Sequence, residues 1–324
     1  MSRHSVDGRI VSVNVANKKG VRKQPVESIT LVVDHGVEGD AHAGPWHRQV
    51  SLLAGESIQK MLAKCPTVNP GAFGENVTTE GLVLYDLPVG TRFSAGETLL
   101  EVTQIGKECH DRCAIFHQAG DCVMPREGIF ARVIEGGEIT PGNGIVLMKN
   151  SLIVAGVLTV SDKGSRGERE DTSGDALEEA LKGLGAASVE RAIVPDETDQ
   201  IAAELRRWAD ESPVNLILTT GGTGMTSRDV TPEATLAVLE RHAPGFVEAM
   251  RAGSAAKTPH AMLSRAVSGL RGKTLIVNMP GGPRACREQF AMIAQALPHA
   301  VEKLLDLGGD CAAPIADGGR GRIS

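Results

Sequence analysis

Two rhythms of apolar and polar positions divide the chain. From Arg9 to about Met148 the apolar residues come in short runs broken by glycine and proline: Ile10 to Val15, Ile29 to Val33, Gln49 to Leu53, Thr98 to Val102 and Gly144 to Leu147. Many short strands separated by turn signals predict a mostly-β barrel or sandwich, with one helix at about Ser57 to Ala63. From Leu152 the rhythm changes, and strand runs alternate with amphipathic helices. Leu152 to Val160 reads as a strand. Ala176, Leu177, Ala180, Leu181 and Leu184 then recur at helical spacing from Ser173 onward, and Gly185 stops that helix. Val189 to Val194 is the next strand, and Thr198 caps a helix carrying Ile201, Leu205, Trp208 and Ala209. Asn215 to Leu218, Thr274 to Val277 and a long helical tail from Pro283 to about Leu307 complete the pattern. This is the sequence form of an α/β three-layer domain with a mostly parallel sheet.

In such a sheet the ligand crevice lies beyond the carboxyl ends of the strands. Each strand delivers a polar or glycine-rich group there: Ser161-Asp162, then Pro195-Asp196-Glu197, then Thr220-Gly221-Gly222-Thr223-Gly224, then Asn278-Met279-Pro280-Gly281-Gly282. One such group is an ordinary turn or cap; four at equivalent positions make a site. The third is followed by Arg228, Asp229 and Thr231-Pro232, read as the N-cap and first residue of a helix. Glycines let backbone amides approach an anion, and the aspartates suit Mg²⁺, which bridges phosphate oxygens. The glycine pattern matches neither common nucleotide-binding loop, since no lysine follows it and the spacing is not G-x-G-x-x-G. Without a serine, histidine and aspartate arrangement, direct in-line phosphoryl or nucleotidyl transfer is the expected chemistry.

Composition narrows the partners. At 324 residues the chain is long enough for two domains, and Lys+Arg 34 against Asp+Glu 40 gives a net charge of -6. That balance, with 3% aromatics, argues against a nucleic-acid surface. The chain opens without an apolar leader, and its longest apolar run is far short of the ~20 residues of a membrane span. A cytoplasmic protein with no membrane partner is expected. The segment from Gly308 to Ser324, rich in glycine and alanine, is expected to be disordered.

Two clusters in the first half carry possible chemistry. Asp34 to Gly44, with Trp46-His47 beyond, holds histidines and aspartates that suit either a metal or a glycine-shaped turn lining a cleft. Cys109 and Cys113 stand beside Lys107, His110 and Arg112, with Cys122 further on. Basic neighbours favour a thiolate able to carry sulfur or bind a soft metal.

Gly36-Val37-Glu38-Gly39-Asp40-Ala41-His42-Ala43-Gly44, Gly74-Glu75-Asn76, Gly106-Lys107-Glu108-Cys109-His110 and Ile139-Thr140-Pro141-Gly142-Asn143-Gly144 together resemble a MOSC domain, the β-rich module named for the C-terminal part of molybdenum-cofactor sulfurases, over residues 5–149. The resemblance implies a cleft for molybdopterin or molybdenum cofactor, molybdenum-ion and pyridoxal phosphate binding, and a cysteine as ligand or sulfur carrier, matched here to Cys109. The second half is similar, over residues 152–307, to molybdopterin adenylyltransferases. The similarity runs through Leu158 to Lys163, Asp171 to Gly174, Val194 to Glu197, Thr219 to Gly224, Arg228 to Glu233, Pro244 to Phe246, Leu263 to Ala266 and Asn278 to Pro283, in order. It implies transfer of AMP from Mg-ATP to the terminal phosphate of molybdopterin, with release of pyrophosphate, in a homotrimer that works with other molybdenum-cofactor biosynthesis proteins. Carried over residue by residue, it makes Asp196 and Asp229 the catalytic, magnesium-organising carboxylates. Thr220, Gly221, Gly222, Thr223 and Gly224 become the pterin phosphate loop, and Ser161, Asp162, Asn278, Pro280 and Gly281 further binding residues. Gly282 stands where the family often has serine. The rival readings are a non-catalytic molybdopterin carrier or storage protein, and a protein that inserts molybdate into adenylylated cofactor.

Overall fold

A computed structural model of the chain describes residues 6–107, 109 and 114–307. Cys113 and the segment 308–324, for which a thiol role and disorder were expected, lie outside these residues.

The first half is built on strands β1 (Gly8–Val15), β2 (Gln24–Val26), β3 (Ile29–Val32), β4 (Gly36–Val37), β5 (Val50–Ala54), β6 (Val77–Glu80), β7 (Arg92–Ala95), β8 (Thr98–Ile105), β9 (Ile129–Glu135), β10 (Gly137–Ile139) and β11 (Gly144–Leu147), with helices α1 (Gly55–Leu62), α2 (Ala114–Ala119) and α3 (Met124–Glu127). The large sheet runs β11-β7-β8-β9-β5-β6-β1-β2, and β1 pairs again with β11. That closure makes a seven-stranded barrel with β2 appended, so of the two expected forms the barrel is the one present. Closure removes the free edges an open sheet would expose. Its interior is apolar: Ile10, Val13, Leu52, Val77, Phe93, Leu100, Ile129 and Ile145 are buried together.

The second half contains β12 (Val154–Val160), α4 (Asp162–Ser165), α5 (Thr172–Leu184), β13 (Ser188–Val194), α6 (Thr198–Glu211), β14 (Leu216–Thr220), α7 (Thr231–Leu236), β15 (Arg241–His242), α8 (Gly245–Ala255), β16 (Ser268–Arg271), β17 (Thr274–Met279), α9 (Pro283–Ile293) and α10 (Leu297–Leu304). The sheet order is β13-β12-β14-β17-β16-β15. The first four strands are parallel, whereas β16 is antiparallel to both its neighbours, β17 and the edge strand β15. The sheet is therefore mixed, because the chain after α8 returns by a hairpin instead of a crossover helix. Successive residues of β14 serve different cores. Leu216 and Leu218 pack with Leu177 and Leu181 of α5 and Phe290 of α9, while Ile217 packs with Leu205 and Trp208 of α6. This is why these strands read as continuous apolar runs.

Several local expectations change. The strand begins at Val154, after a 3-10 turn over Lys149–Leu152. Thr198 and Thr231 are first helical residues rather than caps, with Glu197 and Val230 at the cap positions. The tail from Pro283 is two helices, because Pro298 stands in the first turn of α10 and cannot continue the preceding one. Among the described residues no helix is long and apolar enough to cross a membrane.

Candidate functional site

Strand order places the crevice. The chain leaves β12 for β13 on one side and then returns to β14 on the other. The carboxyl ends of these strands therefore surround a topological switch point, the preferred ligand position in open α/β sheets. A cleft of about 220 Å³ lies there, lined by Ser161, Asp196, Thr220, Gly221, Gly222 and Gly281 among the expected residues. It is also lined by Arg169, Glu170, Asp171, Thr172 and Ser173, which the site assignment left out. At this volume it encloses part of a ligand, since pockets for whole small molecules run to roughly 300–1,000 Å³.

The glycine loop has the form its backbone demands. Gly221 has φ +99°, and a Cβ there would sit 2.3 Å from the Val160 carbonyl oxygen. Gly222 has φ +61°, and its Cβ would meet Thr231 Oγ1 at 2.4 Å. The Thr231 hydroxyl donates to the Gly221 carbonyl at 2.9 Å, so this threonine ties helix α7 to the loop instead of capping it. Thr220 Oγ1 donates to the Pro280 carbonyl at 2.7 Å, and Cys286 Sγ donates to the same oxygen at 2.9 Å. Burial pushes the Cys286 thiol up to about 11, which keeps it a neutral donor.

Opposite the loop, α5 presents its N-terminus. Asp171 caps it, accepting from the Gly174 amide at 2.9 Å, and also accepts from Thr159 Oγ1 at 2.8 Å. Arg191 of β13 pairs with Asp171 and Asp175 and reaches Glu178 at 3.1 Å. The positive end of a helix and a glycine loop, both lining one cleft, favour an anion. The signal was available as Asp171-Thr172-Ser173-Gly174, an N-cap residue at a helix start.

The carboxylates gather at the rim. Asp162 and Asp196 exchange backbone bonds: the Asp162 amide donates to Asp196 Oδ2 at 2.8 Å and the Asp196 amide donates to Asp162 Oδ1 at 3.1 Å. This pair locks the end of β12 to that of β13. Burial pushes the Asp196 carboxyl up, and the charges of Asp162 and Asp229 push the same way, while the Asp162 amide and Arg228 oppose them. Asp162 is held below the ordinary carboxylate range by the Asp196 amide and by Arg228. Arg228 donates to both Asp162 oxygens at 3.0 and 2.9 Å and to Glu197 at 2.9 Å. For Asp229 burial acts upward, but hydrogen bonds from Thr226 and the Gly224 amide outweigh it and hold the group low. Among the described residues no three His, Cys, Asp or Glu side chains form a complete metal cage.

Some expected residues serve other purposes. Asn278 is fully buried, donating to Thr219 Oγ1 at 3.0 Å and Thr235 Oγ1 at 2.9 Å, and its side chain is thus spent on the core. Thr223, Gly224 and Pro280 belong to the same loops but stand back from the cleft lining.

In the first half Cys109 is exposed. The Asp34 to Gly44 segment folds as a turn pinned from inside. Asp40 is buried and accepts from Lys23 Nζ at 2.6 Å, from the Ala16 amide at 3.1 Å, from Asn76 Nδ2 at 3.2 Å and from the His42 amide at 2.9 Å. Lys23 gave no signal in the sequence, standing in a basic run that reads as solvated.

Comparison with known proteins agrees with both halves. The family model described as a probable molybdopterin binding domain matches residues 156–299, and that of the MOSC domain matches residues 39–146. A molybdopterin adenylyltransferase of Helicobacter pylori is 43% identical over 152 residues, covering 46% of this chain and 86% of that protein. The molybdenum cofactor synthesis protein cinnamon of Drosophila melanogaster is 44% identical over 155 residues, 48% of this chain and 26% of the relative. A solved structure of a molybdopterin biosynthesis enzyme from Thermus, 49% identical, covers 47% of this chain and 96% of its own, with a TM-score of 0.44. Through its second half, the chain belongs to the molybdopterin adenylyltransferase family, with a MOSC domain ahead of it.

Proposed function

We propose that the second half transfers AMP from ATP to the terminal phosphate of molybdopterin, releasing pyrophosphate. The observation that carries the reading is the convergence on one cleft of the Gly221-Gly222 amides, the α5 N-terminus and Asp196, with Asp162 and Asp229 beside it. The first two hold phosphate. Carboxylates repel phosphate, so their presence at the rim calls for a cation between them.

Magnesium fits this donor set. Mg²⁺ is commonly held by one or two carboxylates with substrate phosphates and water completing its shell, and the mutually repelling aspartates at the rim match that habit. Asp196 and Asp229 would hold it, and when bound it would neutralise charge on the transferring phosphoryl group. The protein's own part is to fix the pterin phosphate on the glycine loop, at α5 and along Ser161, to hold Asp196 in place through the Asp162 amide, and to keep Asp229 ionised and aimed. A homotrimer and exchange with other molybdenum-cofactor proteins belong to the same proposal. For the first half, the proposal is that the MOSC domain binds molybdopterin or the finished cofactor, with Cys109 exposed to carry sulfur or metal.

The test uses purified protein with molybdopterin, ATP and Mg²⁺, following pyrophosphate and an AMP-linked pterin together. Both are expected from the native chain and should fall at least about 100-fold in Asp229→Asn. Pterin binding without pyrophosphate would instead make the chain a carrier or a molybdate-inserting protein.

A further inference from the structure

One arginine outside the cleft holds both ends of the loop that carries Asp229. Arg265 follows α8 in a segment that its neighbour Arg251 fixes, donating to the Ser264 carbonyl at 3.4 Å and the Ala266 carbonyl at 3.3 Å. From there the Arg265 backbone amide donates to the Thr223 carbonyl at 3.0 Å, and Nε donates to the Gly224 carbonyl at 2.6 Å. A further guanidinium nitrogen donates to the carbonyl of Asp229 itself, and another pairs with Glu233 in the first turn of α7. The guanidinium thus spans the start of the loop, its end and the helix that follows.

We propose that Arg265 is the positioning residue for Asp229, fixing the distance between the anion-binding loop and the carboxylate that meets the metal. The inference rests on the function proposed above. Three features support it over a general structural role. Apart from the Glu233 pair, the guanidinium contacts go to the main-chain carbonyls at both ends of one six-residue span, 224 to 229. Among the described residues the hydrogen bonds that orient the Asp229 carboxylate come from its own loop, the Thr226 amide donating to its Oδ2 at 2.8 Å, while Arg265 reaches the residue by a bond to its backbone and by its charge. A lysine offers a single point charge and cannot make the fork that reaches two carbonyls and a carboxylate.

The test compares wild type with Arg265→Lys and Arg265→Met. Since a misplacement of about 1 Å can cost about 100-fold in rate, Arg265→Lys is expected to lower kcat by about 10- to 100-fold and to raise the Mg²⁺ concentration at half-maximal rate. Molybdopterin binding should stay within about twofold of wild type. In parallel, hydrogen exchange of the amides from 224 to 229 should speed up by at least about tenfold in both variants, while exchange in β12 and β14 is unchanged. Unaltered exchange in that loop overturns the proposal, and so does an equal loss of pterin binding and thermal stability, which marks a merely structural residue. If wild type itself forms no pyrophosphate, the adenylyltransferase reading fails, and the exchange measurement alone decides whether Arg265 holds the loop.

Discussion

At Gly221 the requirement for glycine is set by two independent facts. Its φ of +99° lies where side chains are disfavoured, and the added carbon would sit 2.3 Å from a backbone oxygen of β12 that cannot move without disturbing the sheet. Left-handed backbone alone costs roughly 1–2 kcal/mol for an L-residue. Gly221→Ala is therefore expected to destabilise the chain by at least about 2 kcal/mol in urea unfolding and to weaken phosphate binding as well. A variant with wild-type stability and binding would show that the loop can adopt another path. Glycine was legible here from the sequence because the loop follows a buried strand and precedes Thr231-Pro232. The job of Thr231 was not legible. A threonine before proline looks like a cap, and only the fold reveals that its hydroxyl turns to the Gly221 carbonyl. Asn278 shows the converse: its place after a strand suggests a ligand contact, yet its amide is used between β14 and α7.

At the scale of elements, legibility follows how strongly a segment states its period. Strands β12 and β14 and helices α5 and α6 stand close to where the apolar pattern puts them, because each is buried over several residues. The appended strand β2 and the barrel strands β6 and β7 hold only one or two apolar side chains of their own, too few to state a period, and β9 was missed beside the cysteine cluster although its run Ile129 to Glu135 is largely apolar and buried. The two edge strands β15 and β16, of two and four residues, were hidden for the same reason. Also beyond reach was the buried pair Lys23 and Asp40, with both side chains only 2% exposed. Its partners come from three separate segments, and no local pattern announces them. Burial pushes the Asp40 carboxyl up, but the Lys23 ammonium and the His42 and Ala16 amides outweigh it and hold the group low. Burial pushes Lys23 down against the pull of Asp40. Removing one member of such a pair leaves a buried charge unmatched, at about 3–5 kcal/mol. Lys23→Met should cost that much by calorimetry and should loosen the turn at Gly39 to Gly44. Double replacement, Lys23→Met with Asp40→Asn, is expected to recover part of the loss. No recovery would mean that Lys23 acts through its stem packing and not through its charge.

For the whole molecule the question is whether the two halves are tethered or fixed. A flexible tether would let one site sweep past the other and raise its effective concentration. The junction argues for a fixed arrangement. Leu152 and Ile153 are fully buried, Ser151 Oγ accepts from the Arg92 amide of β7 at 2.7 Å, and Asn215 of the second half donates to the Leu152 carbonyl at 2.8 Å. Lys149 reaches across to α10, pairing with Glu302 at 2.8 Å, and His299 approaches the same carboxylate at 3.0 Å. Burial pushes the Glu302 carboxyl up, but Lys149 and His299 outweigh it and hold it below the ordinary range. A carboxyl depressed in the folded state stabilises above its unfolded pKa of about 4.3, and that stability disappears as pH falls through the folded value. Glu302→Gln should accordingly cost about 1–3 kcal/mol at pH 7, and the difference from wild type should shrink as the pH is lowered through 4 and below. The same variant should become open to proteolysis between Met148 and Val154, where the wild type is expected to resist. If Glu302→Gln is as stable as wild type at pH 7 and equally resistant, the ion pair does not hold the junction, and buried Leu152 and Ile153 must fix the halves by packing alone.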